Sequence, residues 1–325
     1  MSISFRPRRV FMAATLSLCL PAAVLAAGEP GAWPHAKPIT WIVGFAPGGT
    51  VDVLTRLAAR KLSEKTGQSV VVENRPGASG AIALQAAAKA ASDGYTLITV
   101  PGPVLYPTPQ PEMGKELTAI ATLAQGPMVL VSGLHNAPAQ MTDLIQAIKK
   151  NPATWSYASS GNGTSQHLAG ELFNVTAGTA MTHVPYKGGG QAVVDVVGGQ
   201  IPLGLLGVTP VLQQIKSGKL KAYAVTTSYR IDSLPDVPTM KELGLKEYDA
   251  AQWYVIAAPK GTPATPVQQL NVWLNEIAAS EDLKPALLAS GSIAGKGSAK
   301  ETQQFVESDT RKWKELAKSS KLDIN

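Results

Sequence analysis

Two glycine-rich turns, Phe45-Ala46-Pro47-Gly48-Gly49-Thr50 and Ser159-Ser160-Gly161-Asn162-Gly163-Thr164-Ser165, each follow an apolar run of strand length and open a run of helical period. Strand, tight turn and helix in that order, met twice, confine the chain to an α/β architecture with the turns at the carboxyl ends of strands. The alternation continues around the first turn. Residues 39–45 and 69–73 read as buried strands, 51–66 and 81–91 as helices, and 95–100 as a third strand after the Asp93-Gly94 turn. Three strands with two intervening helices in about 60 residues require parallel pairing through right-handed crossovers.

A proline-heavy stretch at 101–111 breaks the pattern, and a second series begins at 128–131. Helix 142–150, strand 155–159, helix 165–177, strand 181–185, helix 191–197 and strand 221–226 follow on the same plan. After Tyr248 comes one more apolar strand, 253–258, and then helices alone at 265–279, 281–290 and 300–318. Helices without strands of their own need a sheet to cover, and the first unit offers one. The chain is therefore expected to cross between units twice, near 124–127 and near 249–253. The expected domains are 27–126 with 251–325 as a discontinuous first lobe and 127–250 as the second, with a hinge and an interdomain cleft suited to a small ligand.

The first 26 residues have the layout of a secretory signal: Arg6, Arg8 and Arg9, an apolar stretch from Val10 to Leu25, and the small-residue site Val24-Leu25-Ala26. Pro21 interrupts the stretch, which falls short of the roughly 20 residues a spanning helix needs. Arg8-Arg9-Val10-Phe11-Met12 also has a twin-arginine look, but Pro7 stands where Ser or Thr is usual, so Sec export is the preferred route. The only cysteine, Cys19, lies inside this segment, which leaves the mature chain without disulfide, thiol nucleophile or cysteine-based metal site. Export without a later spanning segment points to the periplasm or the extracellular space. Loss of the three signal arginines lowers the formal charge from +6 to +3, and no basic run interleaves with aromatics. That argues against a nucleic-acid partner.

The turns carry the chemistry. A helix start leaves backbone N–H groups unpaired at the positive end of the helix dipole, so facing turns suit a small carboxylate. In the first turn Gly48 and Gly49 admit close backbone approach, Thr50 is a candidate cap, and Asp52 falls in the first helical turn. Neither the Gly-x-x-x-x-Gly-Lys of a nucleotide loop nor Gly-x-Gly-x-x-Gly is present there. The second turn offers Ser159, Ser160, Asn162, Thr164 and Ser165 around two glycines, more neutral donors than a cap requires. His167 follows in the helix and is read as packing behind the loop, since no local Asp orients it toward Ser160 or Ser165 as a catalytic base. A third turn, His183-Val184-Pro185-Tyr186-Lys187-Gly188-Gly189-Gly190, places Tyr186 and Lys187 as candidates for the cleft, with Asp195 further along its helix. The four histidines, His35, His135, His167 and His183, lack metal-ligand spacing, so neither a metal nor a cofactor is expected.

Residues 39–52, Val71-Val72-Glu73-Asn74-Arg75-Pro76-Gly77-Ala78-Ser79-Gly80, Asp93-Gly94-Tyr95-Thr96-Leu97, the third turn, 195–200, Leu234-Pro235-Asp236-Val237-Pro238-Thr239 and 258–263 together resemble the Bug-type receptors, the extracytoplasmic binding subunits of tripartite tricarboxylate transporters. The resemblance covers almost all of the mature chain in the family's order. It implies a two-lobed, type II periplasmic-binding-protein-like α/β fold closing on a carboxylated metabolite: a dicarboxylate, tricarboxylate, amino acid or aromatic acid. Carried over, it nominates Phe45, Ala46, Pro47, Gly48, Gly49 and Thr50 on one lobe. On the other it nominates Ser159, Gly161, Asn162, Gly163, Thr164 and Ser165, with Ser79, Tyr186, Lys187 and Gly188 nearby. Val208 and Thr209 lie where the far end of the ligand is sensed, and Asp52, His167 and Asp195 support the site. Gln200-Ile201-Pro202-Leu203 departs from the family by lacking an acidic residue and a phenylalanine after the glutamine. The implied partners of such a monomeric receptor are permease subunits, or in the alternative a membrane sensor kinase. A secreted hydrolase using Ser160 or Ser165 is the enzyme alternative, and it lacks a supporting triad.

Overall fold

A computed structural model describes residues 1–2, 33–135 and 138–322. The apolar signal stretch and its expected cleavage site lie outside the described residues. Strand β1 (Ile39–Val43) alternates its side chains between two faces. Ile39, Trp41 and Val43 pack with Leu54, Ala58 and Leu62, spaced one turn apart on helix α1 (Thr50–Thr66). Ile42 points the other way, into a layer with Ala83, Leu84 and Ala87 of helix α2 (Ala81–Ala88). β1 is thus covered on both faces, as the near-continuous apolar run demands. It pairs in parallel with β2 (Val70–Asn74) and β3 (Thr96–Gly102), the arrangement that two crossovers impose.

One long strand, β4 (Leu117–Gly133), joins the two halves of the molecule. The next elements are α3 (Met141–Lys150), β5 (Ser156–Ser159), α4 (Ser165–Ala177), β6 (Thr182–Pro185), α5 (Gly189–Val197), β7 (Leu203–Gly207), α6 (Val208–Lys216) and β8 (Leu220–Val225). The chain then returns through β9 (Ala251–Pro259), α7 (Ala264–Ala278), α8 (Lys284–Ser290), the two-residue β10 (Ile293–Ala294) and α9 (Ala299–Ser319). Among the described residues the strands run β2-β1-β3-β9-β4-β7-β5-β6, with β8 and β10 also on β4. Residues 117–127 of β4 pair antiparallel with β9, whereas residues 128–133 pair with β7 on one edge and β8 on the other. Each half therefore carries a parallel core, β2-β1-β3 or β7-β5-β6, around antiparallel central strands. The second half is covered on both faces as well. Met128 and Leu130 face Leu144, Leu168 and Phe173 of α3 and α4, while Val129 and Val131 face Ala192, Val196 and Val211 of α5 and α6.

Three features differ from the sequence-based expectation. β4 extends over Leu117–Gly133, where a strand was expected only at 128–131. β7 and α6 are absent from it because Gly204 and Gly207 cut the apolar run and Pro210 falls in the first helical turn. The helices after β9 were expected to cover the first unit alone. α7 does so through Leu270 and Leu274, but α9 spans both halves. Its Val306 packs on Ala119, Trp253 and Val255, and its Trp313 and Ala317 belong to the cluster built around Met128, Tyr157 and Phe173.

Candidate functional site

The three glycine turns and the turn after β2 converge where the halves meet. They enclose a cavity of about 340 Å³. Phe45, Ser79, Gly161, Asn162, Tyr186 and Lys187 line it, as do Ala78, Tyr106 and Gln110. The halves touch directly here: Ala46 N–H donates to the Lys187 carbonyl at 3.0 Å. A methyl group at Gly161 would come within 2.7 Å of Ser79 Oγ, and one at Gly188 within 3.2 Å of Ala46 N. Glycine at these positions is what lets the backbones approach.

In the first turn Gly49, not Thr50, is the N-cap of α1, and no side chain caps that helix. Asp52 instead accepts Gly48 N–H at 3.1 Å, Arg56 Nε at 3.0 Å and Asn74 Nδ2 at 2.9 Å. Burial alone would raise its pKa, yet the bonds from Asn74, Arg56 and Gly48 outweigh that and hold the carboxyl below its usual range. Asp52 is an anchor for the turn from beneath. Gly49 and Thr50 line a second, small crevice of about 20 Å³ with Ser160, Gln252 and Tyr254, separated from the main cavity by Phe45. Pro47 packs its carbonyl against Gly190 of the third turn.

The second turn uses most of its donors on itself. Ser160 N–H is taken by Gln166 Oε1 at 2.8 Å, Gly161 N–H by Ser159 Oγ at 3.0 Å, and Gly163 N–H by His167 Nδ1 at 2.9 Å. Thr164 is the N-cap of α4, but its hydroxyl donates back to the Gly161 carbonyl at 2.7 Å. Asn162 is the exposed member, with its amide at the cavity wall. Ser165 Oγ is buried without a hydrogen-bond partner among the described residues.

His167 lies behind this turn, as read from the sequence, and stacks on His183 with 3.7 Å between ring centroids. His183 Nε2 sits 2.6 Å from Ser159 Oγ. Burial and the neighbouring His167 push the His183 pKa down to about 3, so its ring is neutral at pH 7. The serine that reaches His183 is Ser159, which is fully buried. Tyr186 turns its hydroxyl away to Asp195 Oδ2 at 2.5 Å, and burial with that carboxylate raises its pKa to about 12.

Other nominated residues lie elsewhere. Val208 belongs to the apolar layer under α5 and α6, and Thr209 lines neither cavity. The nominated Ser79 sits in the turn 77–80, in which Ala78 and Ser79 take left-handed φ values of 46° and 54°, uncommon for residues with a Cβ. One wall segment escaped sequence reading, the proline-rich segment 104–110. Leu105 N–H donates to the Gly163 carbonyl at 2.8 Å and Tyr106 OH to the Ser79 carbonyl at 3.0 Å, so this segment ties turns of both halves. Its only sequence signal was proline content. Among the described residues no group of three or more His, Cys, Asp or Glu is placed to hold a metal ion.

A family model described as the tripartite tricarboxylate transporter family receptor, TctC, matches residues 54–322. BugT of Bordetella pertussis is 37% identical over 285 residues, covering 86% of this chain and 87% of that protein. A solved structure of a periplasmic transporter is 34% identical, with a TM-score of 0.86, and covers 90% of this chain and 100% of its own. An R. palustris protein solved with adipate is 32% identical, with a TM-score of 0.85, and covers 90% of this chain and 99% of its own. The family match runs from within α1 to the last described residue, Leu322, and the chain belongs to the tripartite tricarboxylate transporter receptor family.

Proposed function

We propose that this protein is a periplasmic receptor that captures a small carboxylate in the cavity between its halves and hands it to integral membrane permease subunits, with no chemical step of its own. The observation that carries the reading is the composition of the cavity wall: the neutral donors Ser79, Asn162 and Ser160, backbone from three glycine turns, and one cation, Lys187, with no acidic side chain. Membership of a transporter-receptor family and a relative solved with adipate support it. In this reading the amino-terminal 26 residues are a Sec signal and the mature protein acts as a monomer. The lobes are 27–126 with 251–325, and 127–250. The exchange of β4 partners at Pro127 and Met128, next to the start of β9 at Ala251, supports these boundaries. Hydrogen bonds to a charged group contribute about 1.5 to 3 kcal/mol each, so three or four suffice for micromolar affinity after closure and desolvation.

A carboxylate panel read by thermal shift and titration calorimetry tests this. At least one small acid should raise the melting temperature and bind with a Kd in the micromolar range or tighter, because a ligand specific to the folded state stabilises it by mass action. No shift with any carboxylate, together with turnover of an ester or amide, would sink the receptor reading.

A further inference from the structure

We infer that a second cavity, on the other side of segment 104–110 from the first, binds a medium-chain fatty acid anion whose carboxylate pairs with Arg311. This void of about 670 Å³ lies between the proline-rich segment and α9. Its size falls within the range of about 300 to 1,000 Å³ of pockets that hold small ligands. Leu84, Val100, Trp253 and Val306 give it an apolar lining. Pro109 and Pro111 extend that lining, and a proline brings no backbone N–H to the wall. The polar residues of the same wall are spent on neighbours: Gln110 Nε2 donates to Thr108 Oγ1 at 3.1 Å, and Gln85 Nε2 donates to Gln110 Oε1 at 2.9 Å. Such a surface gains by covering hydrocarbon rather than a hydroxylated metabolite.

Charge defines the other end of the ligand. Both acidic residues of the void are engaged: Glu112 meets Lys115 at 2.7 Å and Lys314 at 3.8 Å, and Glu307 accepts from Gln303 Nε2 at 2.6 Å. Arg311, one helical turn beyond Glu307, is exposed and forms no ion pair among the described residues. It is the cation left over, and a guanidinium takes a carboxylate through two parallel hydrogen bonds. An acid with an apolar tail serves both ends of the site. A short acid leaves the lining wet, and a neutral alcohol leaves Arg311 unpaired.

Calorimetry with hexanoate, octanoate, decanoate and decanol tests this on the wild-type protein and on Arg311→Met, Arg311→Lys, Thr310→Trp and Asn162→Asp. The wild type should bind decanoate with a Kd of about 100 μM or tighter, and each methylene added from hexanoate upward should tighten binding about two- to fourfold. Arg311→Met should weaken decanoate about tenfold or more and erase its advantage over decanol, while Arg311→Lys keeps part of that advantage. Thr310→Trp puts an indole into the void and should abolish binding. Asn162→Asp puts a carboxylate into the cavity between the halves and should leave decanoate affinity within about twofold. Melting temperatures within a degree or two of wild type separate these effects from a folding defect. Decanoate binding that survives Arg311→Met or Thr310→Trp unchanged, or that is lost in Asn162→Asp, places the acid elsewhere and overturns the inference. So does a wild type that binds none of the three acids. A wild-type dimer in light scattering that Thr310→Trp abolishes would give the void to a second copy of the chain, and overturns it as well.

Discussion

His183 shows how a single side chain stiffens the binding surface without touching it. Its ring stacks on His167 and lies tilted against Tyr157, and its Nε2 meets Ser159 Oγ, the atom that receives Gly161 N–H. The pair of imidazoles thereby holds the second turn at two backbone positions, Gly161 through Ser159 and Gly163 directly. The Gly163 bond requires an unprotonated Nδ1 on His167, which accepts it. Burial holds the folded pKa of His183 near 3, whereas an unfolded histidine titrates near 6.5. Between those values the unfolded chain binds a proton that the folded one refuses, so this contribution is complete above pH 6.5 and is lost on acidification toward 3. The slope for one proton is at most about 1.4 kcal/mol per pH unit, less here because the ring is only partly buried. Urea midpoints should therefore fall between pH 7 and pH 4, and His183→Gln should flatten that fall relative to wild type. Equal slopes would rule out this account. The sequence allowed His167 to be placed behind the turn, being one helical turn from Gly163. Its partnership with His183 was not readable, because it depends on β6 lying parallel to β5.

At the scale of elements, the strands and helices flanking the turns were legible because periods of two and 3.6 separate cleanly there. β4 was not, because Gly126-Pro127 reads as a break. In the structure the break marks the place where the strand changes partners, from β9 to β7 and β8. The segment 104–110 has no periodicity, and its place on the cavity depends on Leu105 meeting Gly163 across the fold. It is a partition: a larger void of about 670 Å³ lies on its far side, bounded by Trp253 and α9. The behaviour of α9 likewise depends on packing rather than pattern. Its capping box at Ser298 and Glu301 fixes where it starts, but not that Trp313, 2% exposed, is buried in the cluster of the second half. Removing so large a buried ring costs about 3–5 kcal/mol in comparable sites. Trp313→Ala should lose stability on that scale in urea unfolding followed by circular dichroism. A loss under 1 kcal/mol would mean that α9 is an accessory to the second half rather than part of its core.

For the whole molecule, the proposed lobes meet with the first and third turns already in contact, Ala46 N–H on the Lys187 carbonyl and Gly188 against Ala46. The passages of β4 at Pro127 and of β9 at Ala251 lie side by side, so a rotation there changes few hydrogen bonds. α9 works against free rotation, since it packs on both halves through Val306 and Trp313. The proposed closure is then a balance between that brace and the contacts at the mouth, and a ligand shifts it only by binding the closed form better. Gly188 is the place to tilt the balance without altering a donor. A valine there would push against the Ala46 backbone, 3.2 Å from the first added atom, and hold the halves apart. Gly188→Val should weaken carboxylate binding at least about tenfold, equivalent to 1.4 kcal/mol against closure. Small-angle scattering should show wild type contracting with ligand, while the variant at saturating ligand keeps its ligand-free radius of gyration. A variant that contracts like wild type would show that the halves need not meet at Gly188 to hold a ligand.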